Sequence, residues 1–359
     1  MTGRRRNMSD MFDYLKWRGD LSFYQSRFNA VDGLILSTLT FIDFDALCGE
    51  GDIDIKTAAD LYCPDEDYES VELGLIIPTV KINKLFCECG LTKRFGDIVV
   101  SDFVQHTDDD ICVQFAAMTF HIGKDRIAVA FRGTDDSLVG WREDCCLSYL
   151  DEIPAQKMAV EYLERIAKKY PEKRILVMGH SKGGNLTLYS ALKCSEETSQ
   201  RIIRAYCYDG PGLSLEIMTG KRYELMKNRL EVILPQSSYV GVMFERGEWY
   251  SVIKSTGRGL FQHDPFTWEI NGPDFVSLSD LSAVGKIHEA RFRARLDELN
   301  SEDRREVVEM VFDSISTSGI KTLSELREKG FGKIVSAMKT YGSYDKKKRE
   351  LVKNLLFRR

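Results

Sequence analysis

The residues best equipped for chemistry form one short run, Gly179-His180-Ser181-Lys182-Gly183. A β-prone stretch at 174–178 precedes it, with Ile175-Leu176-Val177 as its apolar centre, and a helix-prone stretch at 186–192 follows. A serine with glycines two before and two after it, between a strand and a helix, marks a hydroxyl raised on a tight bend. Such a bend holds the serine in a backbone conformation that most residues avoid. The glycines remove side chains that would collide as strand gives way to helix. The backbone N–H of Lys182, at the helix start, faces the same space and can donate to a developing oxyanion. The chemistry implied is nucleophilic attack on an acyl carbon; a glycine-rich turn with a purely structural serine is the competing reading. A second element, Phe131-Arg132-Gly133-Thr134, closes the β-prone stretch 126–131. A turn there can offer a second oxyanion donor through the backbone N–H and hydroxyl of Thr134. The run is not a phosphate loop, because it lacks the G-x4-G-K-[ST] spacing.

The elements that must position these groups alternate. Residues 113–120 and 126–131 read as a hairpin turned by Gly123-Lys124-Asp125. A helix is expected over 156–170, stopped by Pro171, and strands at 203–208 and 230–234, ended by Asp209-Gly210-Pro211-Gly212 and by Pro235. Alternating strands and helices predict an α/β fold with a largely parallel sheet covered on both faces. Residues 1–110 read as a helical and irregular extension, with a short helical lead-in at 8–50 and weak helical pieces at 51–110. Asp108-Asp109-Asp110 reads as a solvated turn rather than a cation loop. Residues 111–278 form the expected core. Residues 279–359 read as a helical appendage, a cap on the core or a contact surface, whose basic clusters, Lys346 to Arg349 and Arg358-Arg359, read as a solvated face rather than an anionic partner site. The apolar runs 240–244 and 249–253 around Glu245-Arg246-Gly247-Glu248 suggest a hairpin that forms an acyl-binding wall or a packed extension.

Composition narrows the classes. The 359 residues carry 50 Lys+Arg against 55 Asp+Glu, a net charge of −5, so no global positive field would hold nucleic acid. With 43% hydrophobic residues a sizeable core is expected. The nine cysteines are scattered, and neither Cys87-Glu88-Cys89 nor Cys145-Cys146 has zinc-binding spacing. Reduced, partly buried thiols are the expectation. No export signal and no run of ~20 apolar residues is present, so a soluble cytoplasmic protein without metal or cofactor is expected.

Several motifs together resemble the α/β-hydrolase superfamily, in its class 3 (fungal-type) lipase branch, and within it the bacterial Mbeg1-like family. They are Asp13 to Asp20 (DYLKWRGD), Phe131-Arg132-Gly133-Thr134 with Trp141 and Asp144 downstream, Gly179 to Leu186 (GHSKGGNL), Asp209-Gly210-Pro211-Gly212, and Gln262-His263-Asp264-Pro265-Phe266. They span about residues 13–275. The resemblance implies an α/β-hydrolase fold and serine-hydrolase chemistry on an ester-type substrate. It puts Thr134 at the oxyanion-hole position and Trp141 and Asp144 in a segment supporting it.

A serine hydroxyl needs an adjacent base. Of the five histidines, His106 and His121 precede the elbow, and His180 on the elbow is expected to point into packing. The order Ser, acid, His leaves His263 and His288. His263 follows Gly257-Arg258-Gly259 on a loop and is the expected base, whereas His288 lies in a charged, surface-like helical run. The acid is less direct. Class 3 lipases carry it after the strand that here spans 230–234, where this chain has Gln236, Ser237 and Ser238. Asp209, at the end of the preceding strand, is the expected substitute, and a dyad held by the Ser237 or Ser238 hydroxyl is the alternative. Asp264 is expected to diverge from His263. The polar Lys182 beside the serine suggests a soluble ester, a thioester or a polar-headed, lipid-like substrate. The rival function is a disabled hydrolase fold that acts as a binding module.

Overall fold

The computed structural model describes residues 9–49, 51–62, 78–316, 319–322 and 324–325. The two C-terminal basic clusters lie outside the described residues. The chain begins with α1 (Met11–Arg18), α2 (Ala30–Leu39) and α3 (Phe44–Cys48). Asp10 and Asn29 start the first two helices by accepting backbone N–H groups of the first turn, each in a reciprocal capping box. Next come β1 (Ile53–Asp54), α4 (Ile55–Tyr62), α5 (Thr79–Gly90), β2 (Val99–Asp108), β3 (Val113–Ile122) and β4 (Arg126–Phe131). Then follow α6 (Leu138–Cys146), α7 (Pro154–Lys169), β5 (Arg174–His180), α8 (Lys182–Lys193), α9 (Glu196–Arg201) and β6 (Ile202–Tyr208). Short helices α10 (Leu215–Met218) and α11 (Lys221–Met226) lead to β7 (Leu230–Pro235) and β8 (Tyr250–Ile253). The described chain ends with β9 (Ile270–Asn271), β10 (Asp274–Phe275), β11 (Ser277–Leu278), α12 (Ala283–Glu298) and α13 (Ser301–Ser316).

Nine strands form one sheet in the order β1-β2-β3-β4-β5-β6-β7-β8-β11. The sheet is mixed rather than largely parallel. Strands β4 to β8 run parallel, while β1 to β4 and the β8–β11 pair are antiparallel. The tight turns joining β2, β3 and β4 allow only antiparallel pairing. β2 lies in the stretch expected to be irregular. Its charges and a bulge at Ser101/Val104, with Asp102 at φ 56°, hide its period from a sequence pattern. Asp108 accepts the N–H groups of Asp110 and Ile111, so the acidic trio is a turn. The expected hairpin at 240–253 is absent. Residues 240–244 are turns, and β8 pairs in parallel with β7.

Both faces of the central strands are buried, which is why they read as unbroken apolar runs. On one face Ala128, Ala130, Leu176, Met178, Tyr206 and Tyr208 meet the N-terminal helices. On the other, Val129, Phe131, Ile175, Val177, Ala205 and Cys207 meet α7 and α8. Gly33 of α2 lies against the Tyr208 hydroxyl, which donates to Ala30 O at 2.6 Å. Of the expected appendage, α12 and α13 are described, and α13 packs Phe312 and Ile315 against Leu138 and Trp141 of α6. The expectation of reduced thiols fails at Cys87, which is disulfide-bonded, whereas Cys89, Cys112, Cys145, Cys146, Cys194 and Cys207 are free. Cysteine spacing does not reveal which sulfurs a fold brings within bonding distance.

The N-terminal layer is tied together by a buried ion pair. Arg94 donates to Asp32 at 2.7 and 2.5 Å, with both side chains fully enclosed, and the Tyr14 hydroxyl donates to Asp32 at 2.8 Å. Arg94→Met would strand the Asp32 carboxylate out of water. We expect a loss of about 3–5 kcal/mol in urea unfolding; a change below about 1 kcal/mol would contradict the burial of this pair.

Candidate active site

Ser181 sits between β5 and α8 with φ 59° and ψ −129°, a left-handed conformation for a residue that is not glycine. The neighbouring glycines make that bend sterically feasible. A Cβ on Gly179 would overlap the Gly183 carbonyl, and one on Gly183 would overlap Phe131 O. Gly133 approaches within 2.7 Å of His180 O and 3.2 Å of Ser181 Cβ, measured from an ideal Cβ. The elbow is thus wedged against the end of β4, from which the Thr134 turn departs.

Asp209 ends β6 at φ 47° and is fully buried. Its Oδ1 accepts from the Ser238 hydroxyl at 2.5 Å and from Gly241 N at 3.0 Å. Its Oδ2 accepts the Nδ1–H of His263 at 2.6 Å. The loop that delivers Asp209 is held by the elbow helix. Asn185 of α8 donates to Pro211 O and Gly212 O at 3.2 and 2.8 Å and accepts from Gln156 at 2.9 Å. Two of the sequence motifs therefore interlock through one amide. Ser237 pairs with Ser282 instead, at 2.7 Å, so neither serine holds the imidazole.

The turn carrying His263 is fastened residue by residue. Gln262 accepts from Ser237 N at 2.8 Å, and its carbonyl accepts from Trp268 Nε1 at 2.8 Å. Asp264 turns away, as expected, and caps the next turn by accepting from Phe266 N at 3.0 Å. His180 is buried, and burial, with His263 beside it, pushes its imidazole well below the ordinary range. Neutral His180 donates Nε2–H to the His263 carbonyl at 3.0 Å, with the two rings 4.5 Å apart. His288 is half-buried and stacks on Tyr239 at 3.5 Å, while His106 lies exposed on β2.

Ser181, His263, Thr134 and Asp144 line one cavity of about 650 Å³, within the usual range for small-molecule sites. Ile82 of α5, Trp141 of α6, Met243 and Phe244 of the loop after β7, Phe292 of α12 and Val308 of α13 give it a largely apolar wall. The 240–244 run thus contributes to the wall as turns rather than as strand. Among the described residues neither Ser181 Oγ nor His263 Nε2 has a hydrogen-bond partner. In the absence of substrate such contacts are commonly long.

Two expectations change. The Thr134 hydroxyl donates to Asp144 Oδ2 at 2.5 Å, so of the two expected donors the hydroxyl is already engaged. Lys182 does not present its ammonium to a substrate. It is fully buried, and Nζ donates to Gln114 O and Oε1 at 2.7 Å each and to Glu143 Oε2 at 2.9 Å. Its polarity therefore says nothing about the substrate. Gln114 and Glu143 carried no motif, and only the fold brings them together.

Burial pushes the Asp144 carboxyl from the ordinary 3.8 up to about 6, against the pull of Lys182 and Thr134. The native state therefore holds this proton more tightly than the unfolded chain does. The stability involved is complete below about pH 3.8 and is lost as pH rises through about 6. Asp144→Asn cannot lose the proton. From about pH 4 to about pH 7 the melting temperature of the wild type should fall relative to this variant. A constant difference across that range would contradict the burial assigned to Asp144.

Comparison with known proteins identifies the family of the chain. No curated protein matches the chain. Among solved structures, the crystal structure of M37 lipase is 16% identical with a TM-score of 0.35, covering 59% of this chain and 68% of that one. A fungal lipase–inhibitor complex, described as a model for interfacial activation in lipases, is 15% identical with a TM-score of 0.36, covering 65% and 86%. The Mbeg1-like family model matches residues 89–313, a span running from the end of α5 into α13 and taking in the elbow, Asp209 and His263, and the chain belongs to the Mbeg1-like family.

Proposed function

We propose that this chain is a serine hydrolase of α/β-hydrolase type that cleaves a carboxylic ester or thioester through an acyl-enzyme. Ser181 is the nucleophile, His263 the general base and Asp209 the acid, with the backbone N–H groups of Lys182 and Thr134 as the oxyanion hole. One observation carries the reading: His263 donates to the buried Asp209 at 2.6 Å while sharing an apolar cavity with Ser181 on a strained bend.

In this reading Asp209 holds the proton on Nδ1, so Nε2 keeps a lone pair toward the cavity. Ser181 Oγ attacks the carbonyl carbon as Nε2 takes its proton. The carbonyl electron pair moves onto oxygen, where the two N–H donors receive it. Collapse re-forms the carbonyl and expels the alcohol or thiol, which leaves with the proton from Nε2. Water then repeats the sequence on the acyl-enzyme, freeing the acid and Ser181. Asp209 stabilises the transient imidazolium, and Ser238 and Gly241 keep its carboxylate aimed. The apolar wall suits an acyl chain, which favours a lipid-like or medium-chain ester. The disabled-module reading rested on the missing carboxylate after β7; the contact of Asp209 with His263 removes that ground.

A fluorophosphonate probe should label the wild type and leave Ser181→Ala unlabelled; labelling that persists in the variant would end the assignment. On p-nitrophenyl esters, Asp209→Asn should lower kcat by about 10⁴-fold through the wrong imidazole tautomer, while Ser237→Ala changes it by less than about two-fold. Equal losses in the two variants would remove Asp209 as the acid.

A further inference from the structure

The buried Lys182 ammonium is not used by the reaction just described, and its surroundings are unusually complete. Its three N–H groups meet three acceptors: Gln114 O, Gln114 Oε1 and Glu143 Oε2. Glu143 is equally satisfied. Its Oε1 accepts Ala155 N at 2.9 Å, and its Oε2 also accepts Gln114 N at 3.0 Å. Neither side chain of the ion pair is exposed at all. A buried pair of this kind is weak evidence for stability, because desolvation offsets the attraction, and apolar replacements often do as well. Its geometry supplies another rationale.

Lys182 is the first residue of α8, and in the hydrolase reading its own backbone N–H is one of the two oxyanion donors. Glu143 lies on α6 next to Asp144, and Asp144 holds the Thr134 hydroxyl at 2.5 Å. Adjacent acids on one helix therefore grip the two residues whose N–H groups form the proposed hole. The approach is close by construction. A Cβ on Gly140 of α6 would come within 2.8 Å of Thr134 Cγ2 and 3.0 Å of Gln114 Oε1. α6 therefore sits directly against both the Thr134 turn and the acceptor of the lysine.

We propose that the Lys182 side chain is a positioning residue: with Glu143 and Gln114 it locks the elbow to α6 and β3, so that the two oxyanion donors keep a fixed separation. This rests on the hydrolase reading above. An error of about an ångström at such a site costs on the order of 10²-fold in rate, and one lost donor costs about 10²–10³-fold. The Lys182 side chain has no exposure and spends its three N–H groups on Gln114 and Glu143, so binding of the ground-state ester should change little.

The test compares wild type with Lys182→Met and with Lys182→Met/Glu143→Gln, the second removing the stranded charge while its amide oxygen still accepts one of the two backbone N–H groups that Glu143 holds. Active sites are counted by the end point of fluorophosphonate labelling, and kcat and KM for p-nitrophenyl butyrate are expressed per labelled site. Affinity for an alkylboronic acid, which forms a tetrahedral adduct on the serine, is measured alongside. The proposal expects kcat per site to fall about 10–100-fold in the double variant, with KM within about two-fold and boronate affinity falling in step with kcat/KM. If either variant melts at a lower temperature but retains kcat per labelled site within about two-fold of wild type, the lysine serves folding alone and the proposal is overturned. A wild type that neither labels nor turns over ester overturns the hydrolase reading itself, a result read before any variant is examined.

Discussion

The contact between Asp209 and His263 is the constraint around which the rest of the molecule is arranged. A carboxylate with no exposure to water must be paired, and here its partners are an imidazole, a hydroxyl and a backbone N–H. Those partners come from two places, the loop after β7 and the turn near residue 260, while the carboxylate itself stands at the end of β6. Bringing them together requires the parallel order β5-β6-β7 and a return of the chain across the sheet edge. A positive φ at both Ser181 and Asp209 shows that two adjacent strand ends are bent to meet this demand.

Glycine and amide chemistry carry the supporting structure. Gly179 and Gly183 make the elbow sterically feasible, and Gly184 and Gly210 allow α8 to lie against the loop after β6. Asn185 then converts that proximity into hydrogen bonds with Pro211 and Gly212. On the opposite side His180 reaches the carbonyl of His263, so the residue before the serine supports the residue proposed to activate it. The motifs are thus parts of one contact network rather than independent signals.

Two buried ion pairs organise the layers around this centre. Arg94–Asp32 joins α2 to the segment before β2, and Lys182–Glu143 joins α8 to α6. Each buries opposite charges that are neutralised only when the partner element is in place. The cavity lies between these layers. Its wall takes residues from α5, α6, α12 and α13 as well as from the core. Segments before and after the parallel strands therefore shape whatever ligand the site holds.

The residues alone determined the local grammar. The glycine spacing marks the elbow, and the apolar runs at β4, β5, β6 and β7 are legible because both faces of those strands are buried. Pro171 marks the end of α7. The family resemblance left two arrangements open, Asp209 beside His263 or a dyad held by Ser237 or Ser238, and the fold brings Asp209 to His263. Tertiary structure decided the rest. β2 is polar and bulged, so its place in the sheet depends on hydrogen bonds with β3 rather than on its own pattern. Val240, Met243 and Phe244 line a cavity and Val242 enters the core, and periodicity cannot separate that from a strand. The ammonium of Lys182 turned inward because Gln114 and Glu143, 68 and 39 residues away in the chain, supply the acceptors there. A side chain's direction depends on partners distant in sequence, and no local spacing encodes them.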